Sequence, residues 1–146
     1  MSTAAAKAPW HLWLVGGFAL LFNSIGVFDF VMSMAQGATY QASAGMTPEQ
    51  IAHYQQMPAW MTGVWAVGVF GAFIASILLL LRRRQAFAVF ALSLAAFVLS
   101  LVYTYGLTDG GSVMGPQMAI MSAVIAGLLV LFGGYARVMD QRGELR

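Results

Sequence analysis

Four long apolar stretches, each about 22 residues, dominate this 146-residue chain. They run from about 12 to 34, 59 to 81, 86 to 107 and 117 to 138. At 1.5 Å per residue, about 20 helical residues cross the ~30 Å of bilayer hydrocarbon. Lipid offers the backbone no hydrogen-bond partner, so over such lengths a helix is the form that satisfies its own amides and carbonyls. The expected fold is all-α: one membrane domain, residues 1–146, built as an antiparallel bundle of four transmembrane helices. Composition agrees, because 60% hydrophobic and 8% charged residues leave too little polar surface for a soluble domain of this size.

The basic residues orient this bundle. All seven, Lys7, Arg82, Arg83, Arg84, Arg137, Arg142 and Arg146, fall in segments that share one side, and the alternate loops carry none. Basic segments cross a bilayer poorly, so this side reads as cytoplasmic, with both termini there. The net charge of +2 therefore marks topology and contacts with anionic membrane lipids, and no nucleic-acid partner is expected. Ser33-Met34-Ala35 has the spacing that a signal peptidase reads. The apolar run before it far exceeds the ~7–15 residues of a signal core, so the first span is read as a retained helix.

Residues 35–58 form the longer outer loop. Gln36-Gly37-Ala38-Thr39 reads as a flexible polar stretch. Thr47-Pro48-Glu49-Gln50 combines an N-cap Thr, a Pro at the first helical position and a Gln three residues after the cap. This capping box predicts a short helix over about 47–57. Ile51, Tyr54 and Met57 share its apolar face, which is expected to rest on the membrane surface. Thr108–Pro116 reads as a turn. Trp10, Trp13 and Tyr135 at one interface, and Trp60, Trp65, Tyr103 and Tyr105 at the other, read first as headgroup anchors.

Small residues repeat every four positions as Gly68, Ala72 and Ser76 in the second span and Ala119, Ala123 and Gly127 in the fourth. Such stripes let helix backbones approach, within one bundle or between copies. Polar residues inside spans are expensive and mark candidate sites. Asp29 is the only carboxylate in any span; it sits ~26 Å along the first helix, near the outer headgroups. Asn23 lies nearer the centre, and Ser33 shares the face of Asp29. By depth, His53, Thr62, Tyr103, Thr104, Tyr105 and Gln117 are candidate partners of Asn23 and Asp29 in an outward-facing polar site. His11 and His53 fall on opposite sides, so they cannot share a metal or haem. Cysteine is absent, and no phosphate loop, metalloprotease motif or nucleophile–base pair occurs, so neither a cofactor nor an enzymatic activity is expected.

Phe22-Asn23-Ser24-Ile25-Gly26-Val27-Phe28-Asp29, Met46-Thr47-Pro48-Glu49-Gln50, Met57-Pro58-Ala59-Trp60, Trp65–Gly71, Leu78–Arg84 and Val89–Leu94 together carry a resemblance. Over most of residues 12–107 the chain resembles a family of small four-helix bacterial inner-membrane proteins, often labelled sugar transporters without an established activity. The resemblance implies the fold and an inner-membrane location, and no catalytic residue. Two functional classes follow. One is a non-enzymatic accessory or assembly protein acting through helix packing, in a homo-oligomer or a larger membrane complex. The other is a small oligomeric transporter of a polar solute, sugar-like or ion-coupled, using the Asn23/Asp29 region. The spans show no internal inverted repeat and no broken helix, the usual marks of a transporter, so the accessory class is favoured.

Overall fold

The computed structural model describes residues 9–108 and 110–145. Lys7, Asp109 and Arg146 lie outside them. Helices α1 (Trp10–Gln36), α4 (Ala59–Leu80), α5 (Gln85–Val102) and α6 (Gly110–Gln141) form the bundle. Two short helices, α2 (Ala38–Ser43) and α3 (Pro48–Gln55), lie between α1 and α4. The apolar spans cover 27, 22, 23 and 23 residues, the third running from α5 on to Leu107, enough to cross a membrane. The chain is thus an all-α, multi-pass membrane protein.

Helix α4 packs between α1 and α5, and α5 packs in turn on α6. The ring of helices closes at the Arg-rich end. There Phe18 meets Phe132 edge-on at 6.0 Å, and His11 Nδ1 is hydrogen-bonded to the Tyr135 hydroxyl. Leu12, Leu79, Phe90, Phe132 and Met139 fill the core near this end. The α4–α5 contact is close because its residues are small: a Cβ added at Gly71 would meet Ser93 Cβ at 3.4 Å.

The tight connection between α4 and α5 has a specific backbone solution. Arg82 N–H donates to Leu79 O and Arg83 N–H to Leu78 O, a Schellman closure with Arg82 in the left-handed position that usually takes glycine, φ 60°. Helix α6 ends the same way, with Gly143 N–H to Asp140 O, Glu144 N–H to Met139 O, and Gly143 at φ 75°. That closure folds the tail back under the hairpin. Leu145 becomes buried, Arg82 Nε donates to Glu144 O at 2.9 Å, and Arg84 Nε pairs with Asp140 Oδ1 at 3.0 Å. The arginines read as topology markers therefore also hold the tail.

At the opposite end the sequence reading needs three corrections. The stretch read as flexible is the start of α2: Gly37, at φ 55°, ends α1 and lets the chain turn straight into a second helix. The segment 108–116 is more than a turn, since α6 begins at Gly110 and breaks at Gly115-Pro116. Gly115 adopts φ 79° and ψ 179°, an extended form imposed before proline and a positive φ that favours glycine. Finally, α3 does not lie apart from the bundle. Its Ile51 and Tyr54, and Met57 just beyond it, are half-buried, and Gln50 Nε2 donates to Val113 O at 3.4 Å. The third span also ends in a π-helical turn, Tyr103–Leu107.

Candidate functional site

Helices α2 and α3 fold over the ends of α1 and α4 and form with them an open-sided pocket. The capping box that starts α3 forms as expected: Gln50 N–H donates to Thr47 Oγ1 at 3.2 Å, and Thr47 N–H to Gln50 Oε1 at 3.0 Å. It aims Tyr54 inward, where its ring lies 5.6 Å from that of Trp65, tilted 42°. Phe30 of α1 supports Trp65 edge-on at 4.8 Å. The pocket holds about 140 Å³, room for a few waters or one small molecule. Ser33, Gln41, Tyr54, Gln55, Thr62 and Trp65 supply its polar and aromatic lining, with Met34 and Met57 beside them.

Gln41 and Ser33 are 6% exposed. Neither side chain has a hydrogen-bond partner among the described residues, and the polar atoms of both keep access to solvent through the pocket. The pocket is where both groups can be satisfied. Asp29 lies outside its lining and is exposed; it accepts a hydrogen bond of 2.9 Å from the Tyr40 hydroxyl on α2. That bond raises the pKa of Tyr40 above 10.0. Burial, with smaller contributions from the Asp29 charge and from Tyr105, pushes Tyr54 up to about 12. Burial lowers the pKa of His53 below 6.5.

The residues chosen by depth do not converge on one site. His53 and Tyr103 meet, ring centroids 6.3 Å apart, and Trp60 packs edge-on against Tyr103 at 5.6 Å. Asp29 pairs with Tyr40, while Tyr105 is exposed and Thr62 lines the pocket. Asn23 is elsewhere: it is buried at the α1–α4 contact, where Nδ2 donates to Ser76 Oγ at 2.9 Å and Ala72 O at 3.3 Å. It is a packing residue and no part of the polar site. The side chain of Gln117 lies outside what the structure describes. Sequence reasoning missed Gln41 because α2 was read as a loop, and missed Tyr54 because α3 was turned toward lipid. The capping box, which fixes where α3 begins, was the available signal for Tyr54.

The two small-residue stripes part company. Gly68, Ala72 and Ser76 are spent inside the bundle: Ala72 and Ser76 are buried, and a Cβ at Gly68 would touch Ala96 Cβ at 3.7 Å. Ala119, Ala123 and Gly127 of α6 are exposed, and a Cβ at Gly127 would meet nothing within 4 Å. Comparison of the chain with family models, curated proteins and solved structures finds no match.

Proposed function

We propose that this protein is a non-enzymatic accessory or assembly protein of the bacterial inner membrane, with both termini cytoplasmic, acting by lateral helix packing against a second copy or a membrane partner. The exposed stripe Ala119, Ala123 and Gly127 carries this reading. Burying apolar surface gives little drive between helices in lipid, where close backbone approach at small residues supplies much of the contact energy. The equivalent stripe on α4 is already used internally. Polar groups of the spans favour the same reading. Asn23 and Ser76 bond to each other, Ser76 Oγ also donates to Ala72 O, and Ser93 Oγ donates to Gly68 O. They hold helices together, whereas a transporter needs such groups turned to a substrate at mid-depth. The one-sided arginines and the family resemblance support the location.

The test is crosslinking and co-purification in mild detergent. Wild type should be recovered as an oligomer or with a partner, and Gly127→Leu should be recovered as a folded monomer, because position 127 faces open space. Gly68→Leu serves as the contrast. It should damage the fold itself, by roughly 1–3 kcal/mol of overpacking, while Gly68→Ala should be tolerated. A wild-type protein that stays monomeric under crosslinking, or an association indifferent to Gly127→Leu, would sink the proposal.

A further inference from the structure

The geometry points to the pocket between α1, α2, α3 and α4 as a binding site for a small organic ammonium ion. This inference is independent of lateral packing, since the pocket lies wholly within one chain.

The pocket is lined by neutral hydrogen-bonding groups and by aromatic faces. Gln41 and Ser33 are each 6% exposed as residues, line the pocket, and have no side-chain hydrogen-bond partner among the described residues. With Thr62 they offer oxygen acceptors to ammonium N–H groups. Tyr54 and Trp65, tilted 42° at 5.6 Å, offer two non-parallel π faces, and Trp is the best cation–π partner among the side chains. The Met34 thioether adds a polarizable wall.

Charge decides the sign of the ligand. No Lys or Arg occurs between Ala8 and Leu81 or between Gln85 and Ala136, so among the described residues this end of the bundle has no Lys or Arg to meet an anion. Its described acidic residues are Asp29 and Glu49. Asp29 stands beside the pocket, bonded to Tyr40 and one helical turn before Ser33 of the lining. Burial keeps His53 from contributing positive charge near neutral pH. A cation gains from this field, an anion loses, and a neutral solute is indifferent to it. The volume of about 140 Å³ suits a ligand of a few heavy atoms.

The experiment uses the purified full-length protein in mild detergent, titrated calorimetrically with tetramethylammonium, choline and ethanolamine. Glycerol, potassium chloride and inorganic phosphate at matched ionic strength are the comparison arms. Saturable binding of at least one ammonium probe is expected. Affinity should fall roughly fivefold in Trp65→Leu, the scale of one lost cation–π contact. It should also fall in Asp29→Asn, whose exposed side chain can change without disturbing the fold. Should Trp65→Leu fail to fold, quenching of wild-type tryptophan fluorescence by the ammonium probes, and its absence with glycerol, gives an independent reading. Equal binding of glycerol, binding of phosphate, no saturable ammonium binding, or ammonium affinity unchanged in Asp29→Asn would each overturn the inference. A monomer that still binds ammonium would leave this inference standing while refuting the packing proposal.

Discussion

Asn23 on α1 and Ser76 on α4 are joined across the helix contact, Asn23 Nδ2 donating to Ser76 Oγ at 2.9 Å while Ser76 Oγ donates to Ala72 O at 2.8 Å. This places the most polar buried group of the α1 span in a structural role. Its neighbourhood is the stripe of small residues that lets α1 come near enough to bond.

Asn23→Ala should therefore destabilise the bundle without affecting any ligand. Interhelical hydrogen bonds in membranes average about 0.6 kcal/mol and reach about 1.7. Unfolding in a graded detergent series should show a loss in that range for Asn23→Ala. A cycle with Ser76→Ala should give a coupling of the same order, since each substitution removes the same bond. A coupling of zero would mean that the bond contributes nothing and that packing alone holds α1 to α4.

The loop-helix end should loosen at both pH extremes. Tyr54 has a raised pKa, so its stabilisation is fully present below 10.0 and is lost as pH rises towards about 12. His53 has a lowered pKa, so the folded form binds a proton less readily than the unfolded chain. Its contribution is present above 6.5 and is lost as pH falls below that value. Amide exchange in α3 should rise in both windows. Tyr54→Phe should remove the late phenolate absorbance transition, and His53→Gln should remove the acid response. An α3 whose exchange ignores pH below 6.5 would contradict the burial of His53.

At the Arg-rich end, Arg82 and Arg84 should behave differently. Arg84 pairs with Asp140 at 3.0 Å but its side chain is 67% exposed, so Asp140→Asn should change stability by under about 1 kcal/mol. Arg82 is largely enclosed: it donates to Glu144 O and lies 3.7 Å from the Glu144 carboxylate. Arg82→Gly removes a residue from a left-handed position, which is favourable, and also removes the tail's anchor, which is not. Global stability should move by roughly 1 kcal/mol or less, while the Leu145 amide should exchange much faster. A tail equally protected in Arg82→Gly would show that Leu145 packing alone secures it.

The four spans, their length and the one-sided arginines were legible because membrane crossing imposes a composition rule on every residue in turn. The Thr47–Gln50 capping box was equally legible, since it depends on four adjacent residues. Helix α2 was not. Its six residues, Ala38–Ser43, carry no N-cap signal, and it forms against α1 and α3 after Gly37 redirects the chain.

The sequence by itself determined that this chain has four membrane-spanning helices and that Arg82, Arg83, Arg84, Arg137 and Arg142 gather at one end. These are properties of composition along a line. Only the tertiary structure decided that Asn23 belongs to packing, that the α4 stripe is consumed while the α6 stripe stays open, and that Gln41, Tyr54 and Trp65 share a pocket. Each depends on the rotation of one helix against another, which small-residue spacing permits in several ways. Side-chain volume and hydrogen bonding across the contact select one of them.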